Sequence, residues 1–317
     1  MNEQWQFPFA GDPAPAPRSV AAYAQRWLET KCAPPYVRPY TAQVRAQFLR
    51  LYVLPELGHR DIDSITTADL DALQQGLIER RLAVTTTKTL FSSVIGPMMR
   101  QARREEWVTA LPEMRLHWPE TDGPRPDPFT VAERDRILEF YRGKRPAWRA
   151  MTGLVFLAGL RPSEAAGLDW GHVDLDSGRV EIMRSMVDRR ADRPKTRASR
   201  RTIVVGDQLR QILREARPYR PAPGDLVACE RDGRPMHTVK WSKGTFRRHV
   251  EGLGIRGRGL YCGRHTFISI AISVLDANIA HVAAFCGTSV KRVESNYLRW
   301  LTDLTDPTAI TVQNGSF

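Results

Sequence analysis

The stretch 157–170 reads LAGLRPSEAAGLDW, and its parsing decides the fold. The apolar run MTGLVFLAGL (151–160) leads into it. That run suits a buried helix and is far too short to cross a bilayer. Arg161, Pro162 and Ser163 follow at once. Proline suits a helix start and serine is a natural N-cap, so a second helix is expected to begin here with Ser163 as its cap. Arg161 is thereby fixed at a junction between two helices instead of waving from a surface. On this stretch alone two roles stay equally open: tying the helices through carbonyls, or presenting a cation to a ligand.

Downstream, RVEIMRSMV (179–187) and RTIVV (201–205) are rich in β-branched residues and read as neighbouring strands. Between them lie Arg189, Arg190, Arg193, Lys195, Arg197, Arg200 and Arg201, with Asp192 the one acid from 189 to 201. Such a run between two strands reads as a hairpin tip that reaches along a phosphate backbone. Lys195 differs from its neighbours, because a lysine can give up its proton and an arginine effectively cannot. Helical patterns resume at 207–217, 240–252, 261–275 and 278–286, with a last one around Tyr297. In LYCGRHTFISIAISVL (260–275), Arg264 and His265 open an apolar helix, where an anion is favoured. In FCGTSVKRVESNY (285–297), Tyr297 follows a Gly-Thr-Ser turn and is either a helix anchor or a nucleophile.

Upstream the reading is all helical. Residues 1–17 are rich in Pro and Ala and are expected to be extended or disordered. Four helices follow within 18–116: one capped by Ser19, one from Thr41, one opened by a Thr66–Asp69 capping box, and one with a possible bend at Gly96-Pro97. The segment 116–130, LHWPETDGPRPDPFT, holds four prolines and a glycine and marks a linker at 117–128. The expected architecture is mainly α in two domains. An N-terminal four-helix unit precedes a C-terminal mixed domain, 129–300, with a small antiparallel sheet; 301–317 is a tail.

Charge narrows the partner. The formal net charge of the 317 residues is +12. Up to Asp122 there are 14 basic and 14 acidic residues, which leaves 33 against 21 beyond it, so the whole excess lies in the C-terminal part. That favours a polyanion, nucleic acid first and a membrane surface second. Cys32, Cys229, Cys262 and Cys286 show no CxxC spacing, so neither a zinc site nor a disulfide framework is indicated. No signal-peptide pattern opens the chain, and a soluble cytoplasmic protein is expected.

No metal-ligand cluster, P-loop or Ser-His-Asp order appears. Two arginines, a lysine, a histidine and a tyrosine gather in the basic domain. A tyrosine nucleophile in a cationic cradle suits phosphoryl transfer without metal or cofactor.

In this order the motifs resemble those of the tyrosine recombinase (phage integrase) family. AGLRPSEAAGL looks like the first arginine box, with Arg161 and the acidic Glu164; PKTRASRRTIVV is similar to the lysine motif of the β-hairpin, with Lys195. YCGRHTF resembles the His-x-x-Arg box with Arg264, and CGTSVKRVESNY the box that ends in the tyrosine, Tyr297. The resemblance runs from about residue 18 to 300. It implies a core-binding domain followed by a catalytic domain, double-stranded DNA at specific sites as substrate, a tetramer on two sites, and accessory DNA-bending or directionality factors. It also implies that Arg161 and Arg264 hold the scissile phosphate, Tyr297 forms a 3′-phosphotyrosyl link and Lys195 protonates the departing 5′-oxygen. Two positions depart from the pattern: Tyr261 stands where histidine is usual, and Thr288 where histidine or tryptophan is. Both still hydrogen-bond, but neither titrates as imidazole does. The rival reading is a catalytically impaired DNA-binding accessory protein or repressor on the same scaffold.

Overall fold

The computed structural model describes residues 16–33, 36–114, 117–119, 126–187, 189–192 and 200–298. The chain divides into two compact units, Met1–Gly123 and Pro124–Phe317.

The first unit is helical throughout. Helix α1 (Val20–Trp27) is capped by Ser19, whose side chain accepts from the Ala22 amide, and runs on through a π-type turn, Leu28–Cys32. Helix α2 (Pro39–Phe48) continues through a similar turn, Leu49–Val53, into α3 (Leu54–Leu57). Helix α4 (Thr67–Glu79) opens with the expected box: Thr66 Oγ1 accepts from the Asp69 amide, and Asp69 Oδ2 from the Thr66 amide. Helices α5 (Val84–Leu90) and α6 (Gly96–Arg104) form one run in which the hydrogen-bond ladder changes at Phe91–Ile95, just before Pro97. Proline has no N–H for the ladder, so the change falls where the chain cannot keep the regular pattern. Tyr23, Trp27, Leu28, Leu49, Leu70, Leu90, Ile95 and Met98 fill the core between these helices.

The second unit is built on α7 (Val131–Arg142) and α8 (Pro146–Ala158). Every residue of α8 from Ala150 to Phe156 is buried, which is why the sequence there is apolar on all sides. Helix α9 (Pro162–Gly167) follows after a left-handed Gly159 (φ 62°). A methyl group at Gly159 would lie 2.5 Å from Phe267, so space and backbone both demand glycine. The N-cap of α9 is Arg161 and not the expected Ser163: Pro162 already takes helical geometry, which moves the cap one step earlier.

Strands β1 (Val173–Asp174), β2 (Arg179–Ile182) and β5 (Arg201–Val204) form an antiparallel sheet of order β1-β2-β5. Val180 opposes Ile203, and both face the core. The stretch 179–187 is not the single strand that its composition suggests. It breaks after Ile182, and β3 (Ser185–Val187) pairs instead with β4 (Arg190–Asp192) as a separate ribbon. Arg189 turns that ribbon with φ 63°. The short strand β1 carried no signal in the sequence.

Helix α10 (Asp207–Ala216) packs on α8, where Gly153 lies against Leu209 and Ile212. Helices α11 (Thr238–Trp241) and α12 (Arg247–Gly252) are joined by a π-type turn. Helices α13 (Tyr261–Ser273), α14 (Ile279–Cys286) and α15 (Val290–Val293) complete the unit, and the chain continues through a turn, Glu294–Leu298. Among the described residues no helix is long and apolar enough to cross a membrane.

Helix α13 lies on α8 through Gly263, where an added Cβ would come 2.6 Å from the Phe156 ring. Alanine is the better helix former by about 1 kcal/mol, but overpacking a full core costs about 1–3 kcal/mol. Gly263→Ala should therefore lower the thermal midpoint followed by circular dichroism. Gly76→Ala in α4, with nothing within 4 Å, should leave it unchanged or raise it.

Candidate active site

The site grows from one carboxylate. Glu164 stands at the third position of α9 and is 5% exposed. Its Oε2 accepts from the Arg161 amide at 3.0 Å, which closes the first turn of the helix, and its Oε1 accepts from Arg161 Nη1 at 2.6 Å. Arg201 on β5 donates to the same group, from Nη1 to Oε1 at 3.2 Å and from Nη2 to Oε2 at 3.0 Å. Arg264 on α13 reaches it at 4.0 Å. Three segments far apart in sequence thus meet on one acid. Burial alone would push the Glu164 carboxyl up. The hydrogen bonds and charge of Arg201, and then the charge of Arg161, outweigh it and hold the group below the ordinary value.

The fourth segment arrives through the backbone. Helix α14 ends at Gly287 in the left-handed region (φ 61°), and the Thr288 amide donates back to the Ala283 carbonyl at 2.9 Å. This is the Schellman closure that a glycine makes possible. It turns the Gly287 carbonyl toward Arg161, whose Nη2 donates to it at 2.7 Å. Arg201 Nε donates to the neighbouring Phe285 carbonyl at 2.6 Å. A side chain at Gly287 would come within 2.7 Å of Arg201 Nη1, a second reason for glycine.

Most of the residues singled out in the sequence lie among the described ones. Arg161 keeps a quarter of its side chain exposed at the rim of the cluster. Arg264 is 3% exposed, and its Nη1 donates to the Gly159 carbonyl at 2.7 Å. Thr288 is half-buried next to the Arg161 contact, and Tyr261 begins α13 with 45% of its surface exposed. The Tyr261 ring meets His265 edge-on at 5.1 Å. Burial, and then the charge of Arg264, push His265 down to about 4, so its imidazole is neutral at pH 7. The backbone of Tyr297 lies in the turn Glu294–Leu298. Lys195, Arg193 and Arg197 lie outside the described residues.

Arg201 needs correction. It was expected on a tip that tracks phosphates, yet its side chain is 8% exposed and committed to Glu164 and Phe285. The basic run therefore ends in a structural arginine. Arg189 and Arg200 are exposed, and Arg190 belongs to β4. What the sequence reading missed is that Glu164 has more than one partner. Its placement three residues after Arg161 was a visible sign of a cap, but nothing local pointed to Arg201.

All four cysteines are free, and burial pushes every one of their thiols up, so none is poised as a thiolate. Among the described residues no group of three or more His, Cys, Asp or Glu side chains is arranged to hold a metal ion.

Comparison with known proteins specifies the class to which this helical scaffold with its small sheet belongs. The phage integrase family model matches residues 129–274, and that for the phage integrase N-terminal SAM-like domain matches 19–78. The chain belongs to the phage integrase family, the tyrosine recombinases. It is 23% identical over 242 residues to the prophage integrase IntR of Escherichia coli K12; the match spans 68% of this chain and 58% of that relative. The integrase of the Tn1549 transposon, solved with circular-intermediate DNA, superposes with a TM-score of 0.74 over 90% of this chain and 99% of its own, at 17% identity. A lambda integrase dimer bound to a core site gives 0.69 over 87% of this chain and 77% of its own, at 13% identity.

Replacing Arg201 leaves Glu164 buried with fewer partners, and breaking a buried ion pair costs about 3–5 kcal/mol. Arg201→Met should lose stability of that order at pH 7, read by urea denaturation. The difference has a predictable pH course. In the wild type the depressed Glu164 stabilises the fold above the unfolded value of about 4.3, and that contribution is lost as pH falls through the folded value. In Arg201→Met the carboxyl rises, so the variant's deficit is largest at neutral pH and shrinks as the acid is protonated.

Proposed function

We propose that this chain is a site-specific DNA recombinase that cuts and rejoins strands through a 3′-phosphotyrosyl intermediate, to integrate or excise a phage or other mobile element. The observation that carries the reading is the convergence of Arg161 and Arg264, from two distant boxes, on the buried Glu164, with the Gly287–Thr288 turn held against Arg161. An acid that fixes two guanidiniums before substrate arrives removes most of the cost of ordering them, and preorganised cations beside a phosphoryl group are the largest single source of catalysis in such chemistry.

In this reading the two arginines neutralise the non-bridging oxygens of the scissile phosphate, and the Thr288 hydroxyl donates a further hydrogen bond. Tyr297 Oη attacks phosphorus. The P–O5′ bond breaks, its electron pair stays on O5′, and Lys195 supplies the proton. The 5′-hydroxyl of a partner strand later reverses the step, so the phosphodiester energy is conserved and no ATP is used. Tyr261, exposed at the start of α13, takes the role of orienting the nucleophile in this reading. With His265 neutral at pH 7, the positive charge of the site comes from arginine and lysine. The partners in this proposal are double-stranded recombination sites and further copies of the same chain, as a tetramer on two sites. Accessory DNA-bending or directionality factors complete the set, and the place of action is the cytoplasm.

The test is a nicked site that loses a short strand on cleavage and so traps the covalent complex. The wild type should accumulate a protein–DNA adduct that Tyr297→Phe abolishes; specific binding with no adduct would leave the accessory-protein reading instead. Thr288→Ser should cleave nearly as fast as wild type. Thr288→Ala should be slower by about 10²-fold, the usual loss for one transition-state donor. Binding should weaken steeply as salt is raised, because phosphate contacts release counterions.

A further inference from the structure

Helix α14 ends against the sheet through one side chain. The last four carbonyls of a helix have no partner within it. Here the Thr288 amide donates to the Ala283 carbonyl at 2.9 Å, and the Gly287 amide to that of Ala284 at 3.1 Å. The Phe285 carbonyl accepts instead from Arg201 Nε, at 2.6 Å. The other two nitrogens of that guanidinium donate to both oxygens of Glu164, at 3.2 and 3.0 Å. The group also lies against Gly287, where an added Cβ would come 2.7 Å from Nη1 and 3.0 Å from Cζ. One buried arginine thus joins the acid of α9 to the end of α14.

A planar fork of fixed donors makes such a three-way contact possible, and a lysine ammonium, a single point, does not reproduce it. The backbone of Arg201 is set by the sheet, opposite Ile182, and its side chain is 8% exposed. Arg161 bridges the same two elements, from Glu164 Oε1 to the Gly287 carbonyl. The two bridges are not equivalent. Arg161 keeps a quarter of its side chain exposed, and in the recombinase reading it serves the scissile phosphate. Arg201 is buried, so its hold on the turn does not depend on substrate. A second arginine is built the same way at the other end of α9. Arg184 falls between β2 and β3, where the chain leaves the sheet. Its Nη2 lies 2.7 Å from Oδ2 of the buried Asp169, and its Nε donates to the Gly167 carbonyl at 2.9 Å. That pair grips the last residue of α9, six positions beyond Arg161.

We propose that Arg201 is a positioning residue for Thr288: by holding Glu164 and the Phe285 carbonyl together, it sets the Gly287–Thr288 turn beside Arg161. This rests on the recombinase reading above, in which the Thr288 hydroxyl donates to the scissile phosphate. A donor displaced by about 1 Å loses on the order of 10²-fold in rate. An arginine that only stabilised the fold would change how much protein reacts and leave the speed of the reacting molecules alone.

The experiment is single-turnover adduct formation on the nicked trapping site with protein in excess. Unfolding lowers the yield of adduct, whereas a misplaced donor lowers the rate constant, so a partly unfolded variant still gives an answer. Arg201→Lys keeps a positive charge for Glu164 but loses the bridge, and its rate constant should fall about 30-fold. Arg184→Met, which breaks the other buried pair, should lose stability and stay within about 3-fold of the wild-type rate constant. Thr288→Ala alone should be slower by about 10²-fold. Adding Arg201→Lys to it should cost no more than about 3-fold further, since the place of the turn stops mattering once its hydroxyl is gone; independent effects would multiply to about 3,000-fold. Full multiplication overturns the proposal. So does Arg201→Lys or Thr288→Ala with the wild-type rate constant, or Arg184→Met as slow as Arg201→Lys. A wild type that forms no adduct would sink the recombinase reading itself, a different outcome from any of these.

Discussion

The arginine cluster of the C-terminal unit hangs on the charge of Glu164. A carboxylate this deeply buried is stable only with cations and donors around it, and a single arginine does not provide enough. The chain brings three, from α9, β5 and α13, and so converts a solvation problem into a fixed arrangement of positive charge. The Gly287 turn locks onto the same arrangement through backbone carbonyls, which brings Thr288 and the start of α15 beside it. Glycine at 159 and 287 follows from this crowding, because each lies in the left-handed region against a packed side chain.

Much of the fold was legible because its signals are local. The Thr66 capping box, the Ser19 cap, the apolar α8 and the β-branched residues of β5 each declare themselves within a few residues, and each is present. The errors arise where tertiary contacts decide. Ser163 had the chemistry of a cap, but Pro162 and the reach of Glu164 gave that place to Arg161. The segment 179–187 had the composition of one strand, yet the pinning of Arg184 to α9 splits it into two.

The site was legible as a list of residue types in order, and less so as a network. Arg161, Arg264 and Thr288 could be chosen because each sits beside a helix end in a short, recognisable pattern. Arg201 was misplaced because seven basic residues in thirteen look alike in a sequence, and only burial separates an arginine that serves Glu164 from those that face solvent. Asp169 and Arg184 drew no notice for a related reason. Their partnership spans fifteen residues and has no motif.

The central claim is that the tyrosine closing the fourth box is the nucleophile, in spite of Tyr261 and Thr288 at two positions where the family usually differs. The most direct measurement is to trap the covalent complex, digest it with trypsin and locate the nucleotide by mass spectrometry. The account predicts a 3′-phosphonucleotide on the peptide Val293–Arg299, attached at Tyr297. The same mass on the peptide that carries Tyr261, or on any other residue, would contradict it.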